Sequence, residues 1–285
     1  MTRVGAVDIG TNSTRLLVAD VRDGRVEPIV RRACVTRLGE GVDAARRLAP
    51  EAVERVHRVL TCYHDELEAL GAERTLAVAT SAVRDAADGA VFLRGVAERF
   101  GFETRLLTGD EEAELTRRGV GAHGERTLVL DVGGGSTELI AGAFHTSLDV
   151  GSVRLAERYL RSDPPAVAEL EAAAAEVRAL LPDLGVDDAI GVAGTVAQLH
   201  ALAGELTLEA VEAELERLAA LTLAERRRVP RLDPERAPVI VTGALVVREV
   251  LRRYGLRSLS YSERDLLDGA AELAHASMFR FRHLA

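Results

Sequence analysis

Apolar and polar positions in the first third of the chain fall into short runs separated by glycine, asparagine and aspartate. Residues 4–8 place small apolar side chains ahead of Asp8-Ile9-Gly10-Thr11-Asn12, and the apolar run resumes at Leu16-Leu17-Val18-Ala19. That pattern predicts strand, turn, strand. A third strand is expected over residues 27–35, after the turn Asp23-Gly24. Pro50 then opens a helix in which Val53, Val56, Leu60, Tyr63, Leu67 and Leu70 keep helical spacing, and Gly71 is placed to end it. A buried strand over 76–79, a helix over 90–100 and a strand over 104–107 complete an α/β layer pattern.

The pattern then begins again. Residues 128–131 form an apolar strand running into Asp131-Val132-Gly133-Gly134-Gly135-Ser136-Thr137-Glu138-Leu139, with a third strand expected over 147–150. Helices are predicted over 165–181, 208–221 and 234–254, the last ended by Gly255, and strands over 189–192 and 256–261. An amphipathic segment at 265–281 reads as a final helix and a candidate to return to the first half. No low-complexity tether separates the halves, so the division is set at 1–118 and 119–285, with a hinge near Arg118.

The two turns carry the chemistry. Aligned on Asp8 and Asp131, the segments share Asp, Gly, Ser, Thr and Leu at identical places, the signature of an internal duplication. Glycine lets backbone N–H groups approach an anion closely, and the hydroxyls add donors. Gly10, Thr11, Asn12 and Ser13 in the first copy, and Gly133, Gly134, Gly135, Ser136 and Thr137 in the second, are therefore candidate phosphate ligands. The turn joins two strands and carries no lysine, unlike a Walker loop. Asp8 and Asp131 are candidates to hold a divalent cation or its water shell. The duplicated hairpin resembles that of the actin, heat-shock cognate and sugar kinase superfamily. The resemblance implies two duplicated actin-like (ribonuclease H-like) α/β domains with the ligand in an interdomain cleft.

Composition narrows the partners. The 285 residues carry a formal charge of −9, which disfavours general nucleic-acid or anionic-membrane binding. Apolar runs are too short to span a bilayer, and no targeting stretch is evident at the start, so a cytoplasmic location is expected. Cys34 and Cys62, the only cysteines, sit in no CxxC pair and are expected to be reduced and buried. All 36 basic residues other than histidine are arginine.

Five segments point further: DIGTNSTRL from Asp8, ATSAVRDA from Ala79, TGDEEAEL from Thr108, LDVGGGSTEL from Leu130 and GVAGTVAQL from Gly191. Arg37-Leu38-Gly39-Glu40-Gly41 adds a sixth. In order and spacing they resemble the exopolyphosphatase and guanosine pentaphosphate phosphohydrolase family. That resemblance implies magnesium-dependent hydrolysis of the terminal phosphate of inorganic polyphosphate, or of the 5′-terminal phosphate of guanosine pentaphosphate. By the same resemblance Glu112 is the catalytic base that activates water, and Asp131 and Glu138 are the acids near metal and nucleophile. Arg84 faces the phosphate chain, with Arg15 beside the first loop and Arg37 a weaker candidate; Gly194-Thr195 matches a second-domain turn near the ligand. Glu111 is expected to be a solvated or capping acid, and Asp110 to start its helix.

The chain departs from the family in two places. It ends without the HD-type helical module of many members, which suggests a preference for short polyphosphates. The turn beginning Ser262-Glu263-Arg264-Asp265 replaces a Gly-Leu-Arg-Glu-Gly pattern. Two other readings stay open: a small acceptor kinase of the same superfamily, and a noncatalytic sensor of guanosine tetraphosphate or pentaphosphate. Met278, Phe279 and Phe281 on the last helix are candidates for a homodimer contact.

Overall fold

The computed structural model describes residues 1–121 and 123–282, with side chains described through Ala276. Met278, Phe279 and Phe281, the candidates for a homodimer contact, have side chains outside the described residues. The chain divides into two compact units, Met1–Ala122 together with Arg264–Ala285, and His123–Glu263. The final segment groups with the first unit, the return that its amphipathic pattern made it a candidate for, although the 119–285 division counts it with the second half.

In the first unit, β1 (Thr2–Ile9), β2 (Ser13–Arg22) and β3 (Arg25–Val35) form an antiparallel meander. It is followed by α1 (Val42–Ala45), α2 (Pro50–Leu70), β4 (Arg74–Ala79), α3 (Ser81–Asp85), α4 (Gly89–Phe100), β5 (Glu103–Leu106) and α5 (Gly109–Val120). The sheet runs β3-β2-β1-β4-β5, with β4 parallel to β1 and β5 parallel to β4. The second unit opens with β6 (Thr127–Val132), β7 (Thr137–Ala141) and β8 (Phe144–Leu148), then α6 (Ser152–Tyr159), α7 (Val167–Leu180), β9 (Asp188–Val192) and α8 (Ala193–Ala203). It closes with β10 (Leu206–Thr207), α9 (Leu208–Ala219), α10 (Leu223–Arg226), α11 (Ile240–Tyr254) and β11 (Ser258–Tyr261). Its sheet runs β10-β11-β9-β6-β7-β8. Read from the hairpin outward, both sheets have the order third, second, first, fourth, last strand; β10 is an added edge. The architecture is the duplicated α/β fold of the actin-like class.

Period-two alternation sorts each strand onto two cores. On β1 and β2, Val7, Ile9, Leu16 and Val18 face α2 and α4 through Val56, Leu60 and Val96. Val4, Ala6, Leu17 and Ala19 face the opposite layer, where Leu115 of α5 meets Leu266, Leu267 and Ala270 of α12 (Leu266–Arg282). Burial on both faces explains why these strands read as nearly continuous apolar runs. α12 lies so close to α5 that a Cβ added at Gly119 would come within 1.7 Å of the Asp265 carbonyl oxygen.

Three expectations change. Helix α11 starts at Ile240 and not at 234, because Pro238 supplies no N–H and disfavours helical backbone at Ala237. The third strand of the second unit is Phe144–Leu148 and not 147–150, since Gly142, at φ 56°, turns the chain after only two residues. Cys34 and Cys62 are exposed, not buried: β3 is an edge strand, and Cys62 lies on the rim of α2. Among the described residues, no helix is long and apolar enough to cross a membrane.

Candidate active site

The duplication holds at the level of single hydrogen bonds. At the tip of the first hairpin the Gly10 N–H donates to Ser13 O at 3.0 Å, and at the tip of the second the Gly133 N–H donates to Ser136 O at 3.0 Å. In each, a Cβ on the glycine would lie 3.0 Å from that acceptor, so the tightness of the turn selects the residue.

In the second unit the loop carbonyls are held from behind. Gly133 O accepts from Ser152 N at 2.9 Å, Gly134 O from Val153 N at 2.8 Å and Arg154 N at 3.1 Å, and Gly135 O from Arg154 Nε at 2.6 Å. A trans peptide sets its C=O and the following N–H on opposite sides. With three successive carbonyls turned to the start of α6, the N–H groups of Gly134, Gly135 and Ser136 face away from it. Three consecutive inward N–H groups form a nest for an anion. Gly151 is part of the device: a Cβ there would lie 2.6 Å from the Gly134 carbonyl. In the first unit the 36–39 segment does the same work, with Asn12 O accepting from Thr36 N at 3.0 Å and Arg37 N at 2.9 Å, and Thr11 O from Gly39 N at 2.8 Å.

Register places the charged residues. Asp8 pairs with Arg15 across β1 and β2, and Asp131 with Glu138 across β6 and β7, so the members of each pair share a sheet face. Arg15 Nε donates to Asp8 Oδ2 at 2.8 Å and its Nη1 to Asp265 at the start of α12. Burial pushes the Asp8 carboxyl above the usual carboxylate range, against the opposing pull of Arg15. Asp8 Oδ1 and Asn12 Nδ2 are buried with no hydrogen-bond partner among the described residues. Glu138, 1% exposed, accepts from Ser147 Oγ at 2.7 Å, so Asp131, Glu138 and Ser147 form one row across three strands.

Glu112 sits one turn into α5 and is 7% exposed. Its Oε2 accepts from Arg84 Nη1 at 3.2 Å, and the same Nη1 donates to Leu107 O at 2.8 Å. Arg84, on α3, therefore fixes the direction of the carboxylate. Glu111 caps the helix: its carboxylate accepts from Thr108 N at 2.9 Å while its own N–H donates to Thr108 Oγ1 at 3.2 Å, a reciprocal capping box. The N-cap is Thr108 and not Asp110.

Among the described residues, no group of three or more histidines, cysteines or acids is placed to hold a metal ion. Magnesium does not require one, since it takes one or two carboxylates and completes its shell with water and phosphate. The buried carboxylates Asp131 and Glu138, opposite each other on β6 and β7, fit that donor set.

Several predicted ligands have structural occupations. Arg15 is engaged by two carboxylates and does not stand as a free charge for substrate. Thr137 donates its hydroxyl to Val150 O at 2.6 Å, Thr11 Oγ1 accepts from Ala82 N at 3.2 Å, and Thr195 donates to Val132 O at 2.7 Å, tying α8 to the strand that carries the loop. Gly194 lies where a Cβ would meet the Arg236 guanidinium at 2.4 Å. Sequence reading missed Ser147, Gly151, Arg154 and Asp265; the only local signal for any of them is Gly151, a glycine directly before a helix.

The profile of a family described as "Ppx/GppA phosphatase family" matches residues 17–271. Exopolyphosphatase 2 of Mycobacterium tuberculosis is 40% identical over 95% of this chain and 98% of its own length, and exopolyphosphatase 1 of Mycobacterium bovis is 28% identical over 94% and 86%. Among solved structures, an exopolyphosphatase-like protein superposes with a TM-score of 0.91 at 30% identity, covering 97% of this chain and 99% of that one. A Ppx/GppA family member of Aquifex aeolicus superposes with a TM-score of 0.76 at 28% identity, covering 98% of each chain.

Proposed function

Because this chain belongs to the Ppx/GppA phosphatase family, we propose that it is an exopolyphosphatase, releasing the terminal phosphate of inorganic polyphosphate to water with magnesium as cofactor. The observation that carries this reading is that the Gly133, Gly134 and Gly135 carbonyls are turned to Ser152, Val153 and Arg154, which by peptide geometry leaves the N–H groups of Gly134, Gly135 and Ser136 on the other side for an anion.

Phosphoryl transfer needs in-line positioning and charge neutralisation more than covalent help. Each hairpin by itself offers donors to phosphate oxygens, the second through the N–H groups of Gly134, Gly135 and Ser136 and the first through the buried Asn12 amide. Glu112, aimed by Arg84, orients the attacking water and accepts its proton. Asp131 and Glu138 would hold magnesium, which supplies positive charge to the phosphates when bound. Ser147 keeps the Glu138 carboxylate in its direction.

The test is phosphate release measured side by side on short polyphosphate, long polyphosphate, guanosine pentaphosphate and ATP, with magnesium. Polyphosphate is expected to turn over fastest and without an acceptor. Release from guanosine pentaphosphate alone, strict dependence on an acceptor, or tight binding without release would each replace this reading.

A further inference from the structure

The chain's two cysteines, 28 positions apart in sequence, line one pocket of about 420 Å³ in the first unit, together with Thr36, Arg55, Arg58 and Tyr63. Both thiols are exposed. Strand register explains the encounter. Cys34 pairs with Thr14 and Thr14 with Ile9, and Ile9 belongs to the face covered by α2. Cys34 is therefore on the side of β3 that meets Cys62.

Two contacts bracket the pair. Arg55 Nε on α2 donates to Thr36 O at 2.7 Å, and Arg32 Nη2 on β3 donates to Glu66 Oε1 at 2.7 Å, so helix and strand run antiparallel past each other. From Thr36 to Cys34 is about 7 Å along a strand, and from Arg55 to Cys62 about 10 Å along a helix. The two thiols fall at roughly the same level between the brackets. Arg55 and Arg58 line the same pocket, so both cysteines open onto it among arginines.

We propose that Cys34 and Cys62 form a peroxide-responsive dithiol that closes into an intramolecular disulfide and slows the phosphatase. One thiolate attacks hydrogen peroxide, taking one oxygen as sulfenic acid while the other leaves as hydroxide, protonated to water. The second thiol then attacks that sulfur, forming the S–S bond and expelling the sulfenic oxygen as a second water. Two electrons pass from the sulfurs to the peroxide. The closure acts on the hairpin because Cys34 is two residues from Thr36, whose N–H, with those of Arg37 and Gly39, holds the Asn12 and Thr11 carbonyls. β3 is an edge strand with β2 as its one neighbour in the sheet and already bonded to α2 through Arg55 and Arg32, so its end can be drawn toward α2.

The inhibitory part rests on the function proposed above; the bond itself does not. Reduced protein is treated with hydrogen peroxide, alkylated and digested with trypsin without reduction. The expected product is the peptide 33–37 linked to the peptide 59–74, lost on adding dithiothreitol and absent from Cys34→Ser and Cys62→Ser. Phosphate release should fall about tenfold or more in the wild type, because small misplacements of a binding loop cost at least that, and stay unchanged in both serine variants. Separate sulfinic acids or a disulfide between two chains would overturn the pair. A linked peptide with an unchanged rate would overturn the switch. A linked peptide in a protein that never releases phosphate would leave the bond standing and count against the phosphatase reading.

Discussion

Arg15 bonds Asp8 across the first hairpin at 2.8 Å, and at the same register position of the second hairpin Glu138 stands opposite Asp131. The two copies keep one backbone and differ in charge. The first neutralises its aspartate internally, with Asp265 as a second partner of the same guanidinium. The second sets two buried acids, Asp131 and Glu138, opposite each other.

Arg15→Met should be severely destabilising, because it leaves two largely buried carboxylates without their cation. A loss of about 3–5 kcal/mol is expected from chemical denaturation. Adding Asp8→Asn and Asp265→Asn to the same chain should recover part of it. A single variant as stable as the wild type would show that the triad carries no such charge balance.

Stability should also depend on pH through Asp8. Its native pKa lies above the unfolded value, chiefly from burial, so the folded chain binds more protons in the window that begins at about pH 4. Within that window this group's contribution falls as pH rises, and its penalty is removed as pH drops through the native pKa. Asp268, also raised by burial, acts in the same direction. Denaturation of wild type and Asp8→Asn at steps from about pH 4 to 7 should give diverging curves, the variant declining less with rising pH. Parallel curves would remove Asp8 from the account.

Gly151→Ala and Gly95→Ala separate a loop-shaping glycine from an incidental one. A Cβ at 151 meets the Gly134 carbonyl at 2.6 Å, whereas at 95, inside α4, nothing lies within 4 Å. The first should lower phosphate release by about 10²-fold through displacement of the nest. The second should leave activity intact and stabilise by about 0.5–1 kcal/mol through helix propensity. Equal effects at the two positions would deny the nest its role.

Much of this was legible in the sequence where the signal is local. Pro50 and Gly71 bound α2 as expected, and the paired Asp-x-Gly turns marked both hairpins, because turn chemistry depends on neighbouring residues. What failed to show was long range. The second partner of Arg15, Asp265, lies 250 positions away, so its part in holding that guanidinium could not be read locally. Ser152 and Arg154 set the N–H nest from a helix whose start carries no recognisable cap, and Thr137 and Thr195 turned out to bond backbone carbonyls. Hydroxyl and guanidinium groups near a loop look alike in sequence whether they face a ligand or brace the loop.

In the proposed reaction Glu112, aimed by Arg84, activates the attacking water. Glu112→Gln keeps the size of the side chain and an oxygen for Arg84 but removes the proton acceptor. The decisive measurement is phosphate release and polyphosphate affinity on the same preparation of this variant. A fall in turnover of about 10²–10⁴-fold with affinity nearly unchanged is expected. Turnover at the wild-type rate would contradict it.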